Sequence, residues 1–458
     1  MRALRRGAAA LQAALIAAAS AAVLAATEPD TTGPFETPSD EPPAASLPPN
    51  EVAGENFHIQ DPVHSDGLMH HYVVESRFGA FAAYGHDALR LRLHEVAALT
   101  TIANTSDPEV ILKSVAHGLG EEVKPVLLVA KNPVGTVLGI PTGISHLLGG
   151  YIAHAQEIGA QTHDAIKSAA SSSKSGNGAS LAASQAEDAA KHYANDYLGL
   201  TAAERRWYAK LEVDPYTRNQ VLRHAVERLA RVDAGATLGM RFVPGLALPG
   251  EAARALDAIY HEDPAVLRKR RHAELAGYGL TAEEVGRFEN APILTPTRQT
   301  VLIEAVKSLE GVAGREELLR HASTVSSEEE VGVFLSSTRL LLKFHARTKV
   351  ARILAGPRLP TAQLADGGVA VFGAFDAMQW TEEVAGYERT LRQTLPAEAT
   401  EREIWLLGAV SPRARAALEE LGWTVHDRAD EALAPAAPQP PSPSPQRPLA
   451  ASEPARLG

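Results

Sequence analysis

The chain has 458 residues, a formal net charge of −11 at pH 7 and no cysteine, and 45% of its residues are hydrophobic. At roughly 150 residues per domain, this length predicts two to three folded units. The lack of cysteine excludes disulfides, thiolate metal sites, cysteine nucleophiles and lipid-modified cysteine anchors. The acidic balance argues against a nucleic-acid partner, because Lys and Arg supply most of the affinity for phosphate backbones.

The amino terminus predicts export. Residues 1–26 join a short arginine-bearing segment to an uncharged stretch that ends in small residues. This arrangement is typical of a signal peptide, so we expect cleavage near Ala25 and a periplasmic or extracellular mature protein. The alternative is an uncleaved anchor, since the stretch approaches the roughly 20 residues that span a bilayer.

Two proline-rich segments are predicted to be disordered. Residues 27–50 combine proline and threonine with acids, and residues 434–458 combine proline, serine and alanine. Neither segment has an apolar periodicity that could bury enough surface to offset the entropy of ordering. The sequence therefore predicts a disordered linker and a disordered tail.

Residues 51–167 are predicted to hold a β-hairpin, helices and an apolar segment rich in glycine and proline. The run from Met69 to Gly85 alternates and favours strands, and an amphipathic helical pattern follows it. Residues 126–152 contain a single charged side chain, with small residues four apart. This spacing gives membrane contact as an alternative to a soluble core, although two prolines interrupt the span. A flexible loop is predicted at 168–180.

A cluster of histidines raises the question of a metal site. Six of the 17 histidines lie between His58 and His94. Imidazoles with neighbouring aspartates can bind zinc or copper without thiolates, so the candidate metal ligands are His64, His70, His71 and His86. The alternative is histidines that only form hydrogen bonds, because adjacent strand residues point to opposite faces and no HExxH pair is present.

Residues 181–357 predict a helical domain with an internal repeat. Residues 199–232 align without a gap on residues 279–312, and 13 of the 34 positions are identical. Each copy predicts a hairpin of two helices, with a capping box opening the first helix. The predicted N-caps are Thr201 and Thr281 for the first helices and Thr217 and Thr297 for the second helices. A hairpin cannot bury its apolar stripe alone, so we expect the copies to pack on one another or on shared helices.

The repeat copies also share an arginine just after the predicted second cap, Arg218 in one and Arg298 in the other. Two interpretations apply to these arginines. They are equivalent anion sites at helix starts, or each forms an ion pair within the fold.

Residues 358–433 predict a small α/β unit of the order β-α-β-α-β, because two short apolar strands alternate with helical patterns. In such a unit, ligands bind at the carboxyl ends of the parallel strands. The residues expected there are Asp376, the turn from Gly408 to Ser411, and His426 with Asp427. No phosphate-binding glycine motif follows either strand.

Taken together, these patterns predict a mainly α fold with an N-terminal β-hairpin, duplicated helical hairpins and the C-terminal α/β unit. No catalytic motif assigns a nucleophile, and no cofactor is predicted. The leading hypothesis is an exported, non-enzymatic protein that binds a protein partner or an envelope component. The alternatives are an envelope hydrolase or metal-dependent enzyme that uses the histidine-rich or α/β residues, and a membrane-associated protein that uses residues 126–152.

Overall fold

The computed structural model describes residues 34–105, 199–232, 250–399 and 401–434. The predicted signal peptide, the apolar segment 126–152, the loop 168–180 and the tail from residue 435 onward lie outside these residues. Within them the chain forms two five-stranded sheets and one two-stranded sheet. The predicted fold class is therefore wrong: the fold mixes α and β structure. Several strands have only two to four residues, too few to show an alternating pattern in the sequence.

The first sheet is formed near the amino terminus. Its strands are β1 (Ala53–Gly54), β2 (Phe57–Ile59), β3 (His64–Ser65), β4 (His70–Ser76) and β5 (Gly79–Tyr84). Strand β4 is central and pairs antiparallel with β2, β3 and β5. The predicted hairpin is β4 and β5, but β1 to β3 extend it to a sheet. The turn needs Gly79, whose φ of 119° is a conformation that favours glycine.

Residues 34–52 lie against the folded body, although 27–50 were predicted to be disordered; residues 27–33 of that linker lie outside the described residues. Residues 34–52 include two one-turn helices, α1 (Pro43–Ser46) and α2 (Pro49–Val52). Glu41 and Val63 exchange backbone hydrogen bonds of 3.0 and 2.8 Å, and the Glu36 side chain is buried. Composition indicates whether a segment can form its own core, and it does not reveal contacts that a preformed surface supplies.

Nine helices lie between the two five-stranded sheets in the described part of the chain. They are α3 (His86–Thr105), α4 (Ala202–Leu211), α5 (Gln220–Val232), α6 (Gly250–His261), α7 (Pro264–Ala276), α8 (Ala282–Asn290), α9 (Pro296–Ser308), α10 (Glu317–Ala322) and α11 (Glu328–Arg347). Helix α3 packs on β4 and β5, and α11 packs on the second sheet. Among the residues that the structure describes, no helix has both the length and the apolar character needed to cross a membrane.

The repeat copies form the predicted hairpins, α4 with α5 and α8 with α9. Thr201 and Thr281 cap the first helices through complete capping boxes, which confirms that prediction. The predicted second caps are wrong. Helix α9 is capped by Thr295, followed by Pro296, and the Asn219 side chain accepts the Leu222 N–H at the start of α5. Asparagine is a good N-cap and proline a favoured first helical residue. Helix α5 therefore begins two residues later than predicted, and α9 begins two residues earlier.

The two repeat copies belong to different hydrophobic cores. The first copy joins the core of the N-terminal sheet, where Trp207, Leu222 and Val226 lie with Tyr72 and Leu99. The second copy joins a larger core with α11 and the C-terminal sheet. Helix α6 contacts both α4 and α9, so the copies are connected through a shared helix.

The second five-stranded sheet is C-terminal. The elements are β6 (Val350–Ile353), β7 (Thr361–Leu364), β8 (Val369–Gly373), β9 (Ala377–Met378), α12 (Glu382–Thr394), β10 (Arg402–Leu406), β11 (Ala409–Val410), α13 (Pro412–Glu420), β12 (Thr424–His426) and α14 (Ala429–Ala432). Strands β8, β10 and β12 are parallel, joined by α12 and α13 in the predicted order. Two antiparallel strands, β7 and β6, add to the β8 side.

Candidate functional site

Two loops meet at the carboxyl edge of the C-terminal sheet, where the sequence predicts a ligand position. The loops after β8 and β10 run side by side, with the Gly408 N–H donating to the Phe375 carbonyl at 2.8 Å and β9 paired to β11. A Cβ atom at Gly408 would lie only 1.7 Å from the Asp376 carbonyl oxygen, so glycine is what permits this approach. Asp376 and Ser411 are thereby held at one edge.

The Asp376 carboxylate at this edge is held by the N-terminal sheet. Its side chain is only 7% exposed. Oδ2 accepts the His70 backbone N–H at 3.2 Å, and Oδ1 accepts the His86 backbone N–H at 3.0 Å. The two imidazoles also face it, with Nδ1 of His70 3.5 Å from Oδ2 and Nδ1 of His86 3.6 Å from Oδ1. One carboxylate of the C-terminal sheet therefore faces four nitrogen atoms from β4 and the start of α3.

His70 lies between two carboxylates. Its Nε2 is 3.3 Å from Oε1 of Glu41, while its Nδ1 faces Asp376. Burial by itself lowers the pKa of His70, but the contacts with Asp376 and Glu41 outweigh burial and raise it to about 9. The contact with His70 is in turn the main reason that the pKa of Glu41 is lowered. His70 is therefore a buried cation at neutral pH.

Beside this ion cluster, Nε2 of His86 is buried without a hydrogen-bond partner among the described residues, and the His86 ring lies against that of Tyr72. The two rings are stacked, with centroids 5.6 Å apart. Imidazoles serve in proton transfer, but Nε2 of His86 is itself buried from solvent. Burial raises the pKa of Tyr72, so its hydroxyl stays protonated at neutral pH. Because His70 and Tyr72 are buried, a substrate would meet only the half-buried rim of Glu41 and His86.

The four predicted metal ligands do not converge. His64 contacts Asp40 at 2.8 Å and His71 contacts Asp66 at 3.0 Å, whereas His70 and His86 share Asp376. Adjacent His70 and His71 reach different carboxylates because successive strand side chains point to opposite faces. Across the described ranges, no group of three or more His, Asp or Glu side chains is arranged to hold a metal ion.

Asp66 has a structural role beside the cluster. Its Oδ1 accepts the backbone N–H groups of Leu68 and Met69 at 2.9 and 2.8 Å. Its Oδ2 accepts the Tyr84 hydroxyl at 2.7 Å and contacts His71. Asp66 thus fixes the turn whose Leu68 carbonyl accepts the N–H groups of Asp376 and the following residue.

The second predicted ligand position, Ser411, is occupied by the carboxylate of Glu36. The Ser411 hydroxyl donates to Glu36 Oε2 at 2.6 Å, and the Trp380 backbone N–H donates to the same oxygen at 2.5 Å. The Glu36 N–H donates to the Trp380 carbonyl at 2.8 Å, and Arg413 donates to the Pro34 carbonyl at 3.0 Å. Sequence reasoning missed Glu36 and Glu41, because the proline-rich composition around them indicated a tether.

The third predicted position, His426 with Asp427, does not join the cluster. The His426 ring stacks on Trp405 with centroids 3.9 Å apart, and Asp427 accepts a hydrogen bond from Arg415 at 2.8 Å. Both side chains are thus engaged in contacts within the C-terminal unit.

A separate depression of about 300 Å³ lies among helices α6, α7 and α9. Its cations face its own acids: Arg270 is 2.5 Å from Glu262, and Lys307 is 3.2 Å from Glu274. Since these charges already neutralise one another, a charged ligand would gain less electrostatic attraction in this depression than at the sheet edge.

Comparisons with protein families, with curated proteins and with solved structures found no match to this chain.

Proposed function

We propose that this chain is an exported, non-enzymatic protein of binding or assembly, and that its docking site is the carboxyl edge of the C-terminal sheet. One observation carries the proposal: that edge is bound by an extended piece of polypeptide, residues 34–41, through the buried carboxylate of Glu36. An α/β enzyme presents this edge as an open crevice to its substrate. Here a segment of the same chain covers this edge, which supports a binding role.

The recognition is polar in character. Among the described residues the exposed large hydrophobic side chains are Phe35, which precedes α1, Leu91 on α3 and Val266 on α7. They do not form the continuous apolar patch that usually marks a hydrophobic interface. Hydrogen-bond donors at Ser411, Trp380 and Arg413 are what the edge offers.

A second candidate function is proton transfer by an enzyme, favoured by Nε2 of His86, which has no hydrogen-bond partner among the described residues, and by the Tyr72 ring stacked on the His86 ring. It ranks below binding because the His70 and Tyr72 side chains are buried and Nε2 of His86 is buried as well.

Site-specific photocrosslinking separates the two functions. A photoreactive residue at the exposed Ala409, beside the edge, should give an adduct with a second polypeptide when the full chain is made in its own cells. The matched control is the same group at exposed Ala282 on α8, which should give none. The binding proposal fails if Ala409 yields no polypeptide adduct while His86→Ala abolishes turnover of a small substrate by the purified protein.

A further inference from the structure

Residues 34–41, here called the N-terminal strap, carry three acids that are each bound by a different group. Glu36 lies on Ser411 and Trp380 of the C-terminal unit. Asp40 contacts His64, and Glu41 contacts His70, both on the N-terminal sheet. The strap therefore crosses from one sheet to the other with a carboxylate at each end.

The surface beneath the strap is complementary to it in charge and hydrogen bonding. The Ser411 hydroxyl accepts the Ala414 N–H as the N-cap of α13, which leaves its own proton to be donated to Glu36. The start of a nine-residue helix also favours a negative charge at this position. At the other end, Nε2 of His70 faces Glu41 at 3.3 Å, while Nδ1 of His70 faces Asp376. The surface thus binds the carboxylate of Glu36 and those of the acids four and five residues after it.

The strap is held by few backbone hydrogen bonds and little apolar burial, the contacts that would make it hard to displace. Its backbone forms one hydrogen bond to the Trp380 carbonyl, a bridge of two hydrogen bonds to Val63, and accepts one hydrogen bond from the Arg413 side chain at the Pro34 carbonyl. Its large apolar side chain, Phe35, remains 38% exposed. A segment held mainly by polar side-chain contacts can be replaced by another that offers the same carboxylates, provided that the competitor overcomes the local concentration of the tethered strap. That concentration is on the order of millimolar for a short tether.

We infer that the surface under the strap is a receptor for an acidic, extended segment of a partner protein, and that the strap is its occupant in cis. The inference rests on the proposed binding function and names its ligand. The partner segment carries a glutamate followed by acids four and five residues later, the spacing of Glu36, Asp40 and Glu41. The partner segment binds by displacing the strap, so the site stays covered by the strap when no partner is present.

A synthetic peptide that copies the strap tests the inference. A fluorescein-labelled peptide with the sequence of residues 33–43 is titrated into the full-length protein and its anisotropy is followed. The double variant Glu36→Ala/Asp40→Ala weakens the strap without altering Glu41 in the buried cluster. We expect it to bind the peptide at least tenfold more tightly than the wild-type chain does, because the cis competitor is weakened.

Three controls make the result specific. Glu55→Ala/Glu398→Ala removes two exposed acids elsewhere and should leave peptide affinity at the wild-type level. Adding Ser411→Ala to the strap variant should weaken peptide binding several-fold, since it removes the donor to the carboxylate. A peptide with glutamine and asparagine at the three acidic positions should lose at least tenfold.

Two results would overturn the inference. One is a strap variant that binds the peptide no better than wild type, or equally well with Ser411→Ala. The other is a wild-type dimer that dissociates in the strap variant, which would assign the occupant as the strap of a second copy. Neither depends on the photocrosslinking result at Ala409, which tests the binding function whatever the ligand sequence.

Discussion

Arg218 and Arg298, which stand at equivalent positions of the two repeat copies, bind the same carboxylate. Nε of Arg218 and Nη1 of Arg298 each lie 3.2 Å from Oε1 of Glu328, at the start of α11. Arg298 also contacts Oε2. Two arginines that the sequence offered as anion sites or ion-pair residues thus share one internal anion. The two repeat copies are therefore connected through Glu328 as well as through helix α6.

This shared carboxylate predicts an unequal effect of removing either arginine. Arg298→Ala should destabilise the protein by about 1 kcal/mol and Arg218→Ala by less than about 0.5 kcal/mol, because Arg298 is the more buried and makes two contacts. Chemical denaturation of the purified variants measures both values. Glu283→Gln, at an exposed position, is the control, and equal losses from the two arginines would contradict the geometry.

The capping boxes predict equal losses at the two copies. Thr201→Ala and Thr281→Ala should each cost about 1 kcal/mol, because each removes the acceptor for the backbone N–H three residues on. Thr→Ser at the same positions keeps the acceptor and should restore most of the stability. A loss at only one copy in denaturant titrations would show that the caps are not equivalent.

The ion cluster predicts that stability depends on pH through His70. Its pKa in the folded protein, about 9, lies above the unfolded value of about 6.5, so its contribution is complete below pH 6.5. The contribution is lost as the pH rises through 9, by up to about 3 kcal/mol. The advantage of wild type over His70→Gln in urea unfolding should shrink between pH 6.5 and 10. An NMR titration of His70 with a midpoint near 6.5 would contradict this.

The close approach of the two edge loops predicts that Gly408 cannot be replaced. Gly408→Ala should cost about 3 kcal/mol or prevent folding, because its Cβ would overlap the Asp376 carbonyl. Gly386→Ala, in the middle of α12 with open space around it, should instead stabilise by about 0.5–1 kcal/mol. Thermal unfolding of both variants distinguishes local crowding from a general intolerance of glycine replacement.

Export is one of the predictions that the described residues leave untested. N-terminal sequencing of the protein recovered outside the cytoplasm should find a start next to Ala25 or Ala26. Replacing Arg5 and Arg6 by glutamate should slow export, because the positive segment orients a signal peptide. An intact Met1 terminus on the exported protein would instead favour the uncleaved anchor.

The sequence by itself determined the parts of this protein whose causes are local. Capping boxes at Thr201 and Thr281 and the β-α-β-α-β order after Val369 depend on neighbouring residues, and these were predicted correctly. It also placed Asp376 and Ser411 at strand ends, since that follows from the order of the elements.

Only the tertiary structure decided what those residues contact. Glu36 lies 375 residues before Ser411 in the chain, and His70 lies 306 residues before Asp376. Side-chain contacts between such distant residues leave no periodicity in one sequence, and short strands such as β1 to β3 leave none either. The pairing of an acidic strap with a helix start and a buried histidine arises because residues far apart in the chain are brought together, and only the tertiary structure sets their distance.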